Sequence, residues 1–114
     1  MVTPATLRQM ALAFPESEEA AHFEKISFRV KKKIFVTLDE KKNFAVLKLS
    51  LADQSAFSAF DSTIIYPVDG SWGRQGWTKI NLTKVRKTTL KDALTCSYVN
   101  VALKKTDRSA PRKK

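Results

Sequence analysis

Helices are predicted at both ends of the chain by apolar residues that recur every three or four positions. In the first segment the residues of this helical face are Leu7, Met10, Ala11 and Phe14. Thr3 and Pro4 precede them, and a hydroxyl that accepts from free amides, followed by proline, is typical of a helix start. Pro15 then ends the pattern. We therefore expect an amphipathic first helix.

A second apolar face near the C-terminus predicts the clearest helix of the chain. Its members are Leu90, Ala93, Leu94, Ser97 and Val101. Thr89, with Asp92 three residues later, resembles a capping box, and we expect this helix to begin there. Between the two ends, Ser50 is typical of the cap of a shorter helix that stops before Asp61.

Between the helices, short runs of β-branched, aromatic and alternating residues predict five strands. These runs are residues 21–30, 34–38, 43–49, 63–66 and 77–82. The acidic run 16–19 is expected to connect the first helix to the first strand. The first three strands form a meander whose two polar turns lie at opposite ends of the middle strand. Along that strand, alternation places Ile34 with Val36 on one face and Phe35 on the other.

The predicted element order is therefore α-βββ-α-ββ-α, a two-layer α+β domain with an antiparallel sheet and helices on one face. Both tryptophans lie in the stretch from Ser71 to Leu82. Glycines at positions 70, 73 and 76 predict a tight loop over residues 70–76, which leads into the strand that starts at Trp77. What the outer face of that strand contacts is the functional question.

Charge adds a basic end to this domain. The chain of 114 residues carries a formal net charge of +10, and the segment 104–114 holds six Lys or Arg residues against one Asp. We predict one folded domain over residues 1–105 and a basic, disordered tail over 106–114. Such a tail attracts polyanions without choosing among them.

Composition excludes several classes of protein. No apolar run approaches the roughly 18 residues of a membrane span, and the N-terminus lacks the unbroken apolar block of a secretory signal. We therefore expect a cytoplasmic protein without membrane contact. The single cysteine, Cys96, excludes an internal disulfide framework and a multi-cysteine metal site.

Five segments, in this order along the chain, resemble the MmcQ/YjbR-like family. They are FEKISFRV at 23–30, KIFVTL at 33–38, AVLKL at 45–49, GWTKINL at 76–82, and Ser97 with Tyr98. The resemblance covers nearly all of residues 3–104. It implies a small bacterial cytoplasmic domain of the α+β class, similar in shape to secretion-chaperone and CyaY-like folds.

The resemblance also implies a partner. Members of the family are commonly labelled DNA-binding because their paired hairpins resemble a double wing, which favours DNA over RNA. Shared shape does not by itself establish shared activity. The family supplies no catalytic motif, and the basic tail lies outside the matched region.

Basic side chains make nucleic acid the first candidate partner. Two hairpin turns carry lysines that would neutralise phosphates and release counterions, which gives affinity without reading sequence. Trp77 with Arg29 and Lys79 would add a stacking platform if the three share a face. A further basic group at 84–87 is expected near the tryptophan loop. The predicted nucleic-acid-binding residues are Arg29, Lys31, Lys32, Lys33, Lys41, Lys42, Arg74, Trp77 and Lys79.

Two other interpretations stay open. Lysines are common at turns because turns face water, and Trp77 would then simply seal the border of the core. In the second interpretation, Trp72 and Trp77 dock a protein partner in a chaperone-like module, which is a monomer or a homodimer.

Catalytic chemistry is not indicated. His22 is expected to open a strand, whereas Cys96 points off the packing face of the last helix, so a nucleophilic Cys-His pair is not expected. Too few metal-binding side chains cluster for a zinc site. Gly73 and Gly76 do not form a phosphate-binding loop because no helix follows them. Tyr98 is expected to make a structural hydrogen bond. We therefore expect no enzyme activity, no cofactor and no metal.

Overall fold

The computed structural model describes residues 2–22 and 25–109, which form one antiparallel sheet with helices packed on it. The predicted two-layer α+β class is confirmed. None of the helices in this part of the chain has the length and apolar character needed to cross a membrane. The elements are α1 (Pro4–Leu12), β1 (Glu18–His22), β2 (Lys25–Val30), β3 (Lys33–Asp39), β4 (Phe44–Lys48), α2 (Leu51–Phe60), β5 (Ile65–Pro67), α3 (Ser71–Arg74), β6 (Trp77–Asn81) and α4 (Lys87–Ser109).

The strands are arranged in the order β1-β2-β3-β4-β6-β5. Because β6 pairs with β4, the chain must return to the sheet after α2, and β5 then pairs with the far side of β6. A row of buried side chains runs across the sheet in register through Leu38, Ala45 and Ile80. Leu90 and Leu94 of α4 are fully buried with them. Removing each of these leucine and isoleucine side chains from water stabilises the fold by about 1.5–3 kcal/mol.

Two helix starts follow their local signals. The hydroxyl of Thr3 accepts a hydrogen bond from the backbone N–H of Thr6 at 3.2 Å. The hydroxyl of Ser50 accepts from the N–H of Asp53 at 3.1 Å. Both predicted caps are confirmed, because each depends only on residues within one turn.

The start predicted for the last helix is wrong. α4 begins at Lys87, and the N–H of Leu90 donates to the carbonyl of Arg86 at 2.9 Å, so Thr89 lies inside the first turn. The buried side chain of Val85 holds the preceding segment in the core. Tertiary packing therefore starts the helix before the capping-box pattern. At its other end α4 reaches Ser109, beyond the predicted domain boundary, and the rest of the predicted tail lies outside the described residues.

The long strand predicted at residues 21–30 is wrong, because it is two strands. β1 and β2 pair antiparallel, with Ala20 opposite Ser27. The hydroxyl of Ser27 donates to the carbonyl of Ala20 at 3.1 Å. The predicted acidic connector is also wrong in part, since Glu18 and Glu19 belong to β1, and Glu19 forms an ion pair of 3.0 Å with Arg8 of α1. Residues 23–24, the start of the matched FEKISFRV segment, lie outside the described residues.

The alternation predicted along β3 fails at one position. Phe28 pairs with Val36, but Arg29 pairs with Ile34, so Phe35 is an extra residue in a β-bulge. The bulge lets both Phe35 and Val36 turn into the core, where each is fully buried. Ile34 consequently lies on the opposite face. The prediction that Ile34 and Val36 lie on the same face is wrong, because strict alternation does not account for the bulge.

Candidate functional site

The face of the sheet opposite the buried row carries aromatic and basic side chains. Thr37, Val46 and Lys79 are paired in register across β3, β4 and β6, one residue out of phase with the buried row. All three are half-buried. Since successive side chains point to opposite faces of a sheet, residues two positions away on each strand share this surface. We call it the aromatic face; its rings and ammonium groups belong to Lys25, Phe44, Lys48, Trp72, Trp77 and Lys79.

The ammonium groups of the aromatic face lie beside its rings. The Nζ of Lys79 is 3.9 Å from the centroid of the Phe44 ring, and the Nζ of Lys25 is 5.7 Å from it. The Nζ of Lys48 is 5.8 Å from the Trp77 ring and donates to the carbonyl of Gln75. Such cation–π contacts are worth about 0.5–1 kcal/mol at exposed sites. They hold positive charge close to flat apolar surface.

The predicted loop at 70–76 contains α3, one turn of helix, and its glycines fix where the tryptophans lie. Gly76 has a φ of 106°, and a Cβ there would lie 2.0 Å from the carbonyl oxygen of Leu49. A Cβ on Gly73 would lie 1.9 Å from the carbonyl oxygen of Val68. The close approach of three backbone segments therefore requires glycine at both positions. The loop prediction is wrong for 71–74 because it did not foresee this packing.

Gln54 of α2 ties the tryptophan segment to the helical layer. Its side-chain Nε2 lies 2.9 Å from the carbonyl oxygen of Gly73, 3.2 Å from that of Trp77 and 3.1 Å from the hydroxyl of Thr78. Carbonyl oxygens only accept, so the amide nitrogen must face them. The Thr78 hydroxyl in turn donates to the carbonyl of Gly76 at 3.0 Å. This buried network fixes the start of β6 and with it Trp77.

A cleft opens on the aromatic face between the two tryptophans and the sheet. Its volume is about 380 Å³. The rings of Trp72 and Trp77 meet edge to face, with centroids 6.4 Å apart and planes at 69°. Trp72 is 60% exposed, whereas Trp77 is half-buried. The cleft is lined by Lys25, Ile34, Thr37, Val46, Val68, Trp72 and Trp77.

Three of the predicted site residues share this surface. Trp77 and Lys79 are two positions apart on β6, and Arg29 is two positions from Ser27, which pairs with Thr37. The three residues therefore share a face, and the stacking platform itself stays a prediction. Arg29 is nevertheless three inter-strand spacings from β6, or about 14 Å. Within the described part of the chain its buried Nε has no hydrogen-bond partner.

The first predicted lysine turn lies at the end of the β2–β3 hairpin. Lys31 and Lys32 have φ values of 52° and 67°, as a two-residue hairpin turn requires. The Nζ of Lys31 donates to the carbonyl of Ala102 in α4 at 3.3 Å, so this side chain reaches the helical layer. Lys32 and Lys33 are exposed.

The second lysine turn, between β3 and β4, lies at the opposite end of β3. β3 has seven residues, which separates the two turns by about 23 Å. The backbone N–H of Lys42 donates to the Asp39 carboxylate at 3.0 Å. Lys41 and Lys42 are exposed beside Asp39 and Glu40. The two turns therefore lie at opposite ends of β3, and the second one directly precedes Phe44 of the aromatic face.

The basic residues expected near the tryptophan loop lie at opposite ends of β6. Arg74 is exposed in α3, next to Trp72 in sequence. Lys84 and Arg86 follow the other end of β6 and line a separate cavity of about 350 Å³ with Phe60. That part of the prediction is wrong because it treated neighbours in sequence as neighbours in space.

The side chains considered for catalysis have structural roles or lie outside the described set. The hydroxyl of Ser97 donates to the carbonyl of Phe35 at the bulge, at 2.6 Å, and that of Tyr98 donates to the carbonyl of Pro15 at 2.8 Å. Burial raises the pKa of the Cys96 thiol, and nearby carboxylates add to this effect. The His22 side chain lies outside the described residues. In the part of the chain that is described, no three His, Cys, Asp or Glu side chains cluster as metal ligands.

Sequence reasoning missed half of the aromatic face. Lys25, Phe44 and Lys48 were not among the predicted site residues, although Phe44 and Lys48 alternate in phase with Val46. The missing information was the pairing of β4 with β6, which places Lys48 opposite Trp77. These strands are separated in sequence by α2, β5 and α3. No local pattern links them.

Comparison with known proteins identifies relatives by sequence model and by structure. A family model described as YjbR matches residues 12–100. A search of curated proteins found no match. Among solved structures, the crystal structure of Deinococcus radiodurans protein DR2400, with the domain DUF419, is similar with a TM-score of 0.76 and 22% sequence identity. The similarity covers 88% of this chain and 80% of that one. At this identity the likeness shows the fold.

Proposed function

The chain belongs to the YjbR family, and on this premise we propose that it is a cytoplasmic, non-enzymatic nucleic-acid-binding protein. The observation that supports this best is the aromatic face, where ammonium groups lie beside the rings of Phe44 and Trp77. Lysine neutralises phosphates and releases counterions, and aromatic rings at a surface are platforms on which bases stack. The same surface thus offers both kinds of contact that a nucleic acid accepts.

The basic hairpin turns extend this surface. The turn that carries Lys41 and Lys42 leads directly into Phe44, so it brings two ammonium groups, beside the carboxylates of Asp39 and Glu40, to one end of the aromatic face. Lys32 and Lys33 lie at the other end of β3, beyond Arg29. A net charge of +10 attracts the polyanion from a distance. In this proposal the turns contact phosphates and confer little sequence preference.

A salt titration with a matched pair of double variants tests the proposal. Binding of a fluorescent oligonucleotide to the full chain is followed by anisotropy as salt is raised. Lys25→Gln with Lys79→Gln removes two charges from the aromatic face, and Lys87→Gln with Lys91→Gln removes two exposed charges from α4. The first variant should weaken binding and reduce the slope of log K against log salt by about 1.4–1.8, since each phosphate contact contributes about 0.7–0.9.

The control variant has the same net charge and should keep the full slope. Equal losses in the two variants would show that only net charge matters, and the aromatic face would then have no special role. Absence of binding to DNA and RNA at low salt would refute the proposed function altogether.

A protein-interaction module remains the second candidate function, because Trp72 is 60% exposed beside an apolar cleft. An exposed aromatic anchor next to a cleft is typical of interfaces. This function predicts association that tolerates salt and is lost in Trp72→Ala. Association of the chain with itself is measured by sedimentation. Association that weakens steeply with salt would contradict this candidate.

A further inference from the structure

From the cleft that both tryptophans line together with side chains of the sheet, we infer that the nucleic acid bound is single-stranded, with one unpaired base seated against Trp72 and Trp77. This inference rests on the proposed function and specifies its substrate class. The cleft volume of about 380 Å³ falls in the lower part of the range of ligand sites, about 300–1,000 Å³. Its floor is formed by side chains of β3 and β4, so an occupant lies on the surface of the sheet.

The ring geometry suits the flat face of a base. The planes of the two indoles are inclined to each other by 69°. A base that stacks on one indole is therefore inclined by the same angle to the other, which it can contact edge to face. Aromatic pairs favour both the offset-stacked and the edge-to-face arrangement. Trp72 is 60% exposed and can be covered by a ligand without any change in the core. Thr37, which lines the cleft, supplies a hydroxyl for a base edge.

A duplex cannot use this site. Its bases are stacked on one another, and only their edges are accessible in grooves. β2, β3, β4 and β6 together are about 14 Å wide between backbones, which exceeds the major-groove width of about 12 Å even without side chains. Five of the seven side chains that line the cleft belong to these strands. Only a base that has left its stack can reach the indole rings.

Cationic side chains are placed to hold the backbone of such a strand. Lys48 pairs with Trp77 in register, and Phe44 pairs with Asn81 four residues farther along. The backbone of Phe44, whose ring has Lys25 and Lys79 beside it, is therefore about 13 Å along the strands from that of Trp77. A single strand that runs along β6 would place a base at the cleft and phosphates near these lysines.

The test compares single-stranded and double-stranded ligands on the full chain. Anisotropy is measured at one low salt concentration with a deoxythymidine oligomer, a uridine oligomer and a hairpin duplex, each carrying the same dye. Both single strands should bind more tightly than the duplex. The deoxythymidine and uridine oligomers distinguish DNA from RNA as the ligand. Tighter binding of either oligomer than of the duplex supports the inference. Equal or tighter binding of the duplex overturns it and leaves the proposed function standing.

A pair of aromatic variants then locates the base. Trp72→Ala should weaken single-strand binding by about 5- to 150-fold, which is the loss expected when one stacked base is released. The salt slope should not change, because no phosphate contact is removed. Phe60→Ala is the matched control, since Phe60 is 77% exposed at the end of α2. Equal effects of the two variants, or a changed slope in Trp72→Ala, would overturn the placement of a base in the cleft.

Discussion

Replacing Gln54 with glutamate should make the stability of the protein depend on pH, and the structure gives the size of the effect. The Gln54 amide nitrogen faces two carbonyl oxygens and one hydroxyl at 2.9–3.2 Å, and the residue is only 7% exposed. A carboxylate at this position would present negative charge to acceptors. Its protonated form can donate one hydrogen bond, where the amide can donate two. The variant therefore retains part of the network only when the carboxyl is neutral.

The pH dependence follows from the cost of keeping this carboxyl protonated. A glutamate in the unfolded chain has a pKa of about 4.3, so holding it neutral at pH 7 costs up to about 3.7 kcal/mol. The pKa of this carboxyl is higher in the folded protein than in the unfolded chain, so the unfolded chain binds fewer protons at pH values above about 4.3. The free energy of unfolding therefore falls as pH rises. We expect Gln54→Glu to lose about 1 kcal/mol near pH 4, for one missing hydrogen bond. Near pH 7 the expected loss is about 4–5 kcal/mol.

Urea denaturation of the variant and the parent protein at each pH measures this difference. Since m is about 1–3 kcal/mol per molar urea for small proteins, the midpoint should fall by roughly 2 M near pH 7 and by well under 1 M near pH 4. Gln9→Glu is the control, because Gln9 is an exposed glutamine of α1 and should show almost no difference at either pH. A loss in Gln54→Glu that is the same at both pH values would show that the side chain swings into solvent. The buried tether of the tryptophan segment would then be refuted.

Two other predictions concern the backbone under the tryptophans and the single thiol. Gly76→Ala should destabilise the protein far more than Gly70→Ala, as measured by urea denaturation. Both glycines have positive φ, which costs an alanine about 1–2 kcal/mol. Only the Cβ of alanine at position 76 would lie 2.0 Å from the Leu49 carbonyl oxygen. Equal losses would contradict the close approach. The rate of Cys96 alkylation should reach half its maximum at a higher pH than for an exposed thiol, because burial raises the pKa of Cys96. Asp53→Asn should lower this midpoint in part, since the Asp53 carboxylate also raises the pKa. An unchanged midpoint in the variant would exclude this carboxylate as a cause.

Local signals in the sequence predicted the parts of the fold that depend on neighbours along the chain. The caps at Thr3 and Ser50 are examples, because a helix start requires only one hydroxyl and an amide three residues later. Thr89 carries the same kind of signal and is nevertheless inside α4, since burial of Val85 determines where the chain enters the helix. A cap pattern is decisive only where tertiary contacts do not compete with it.

The candidate site shows the same division. Trp77, Lys79 and Arg29 were identified from alternation and composition, and the structure places them on one surface. Lys25 and Phe44 were missed because their contact with Lys79 depends on strand order, which connects distant parts of the chain. The bulge at Phe35 could not be read from alternation, because Ile34, Phe35 and Val36 are three consecutive apolar residues. Its detection requires the register of the neighbouring strand.

The two outermost strands of the sheet have a consequence for how this protein meets other chains. β5 has only three residues and ends in Pro67, which has no N–H to offer, and β1 begins with the charges of Glu18 and Glu19. Short edges, proline and charge are the devices by which sheets avoid adding a foreign strand. Recognition by β-augmentation and edge-to-edge association of sheets are therefore both disfavoured. Other molecules are therefore expected to approach the broad surface of the sheet and not its borders.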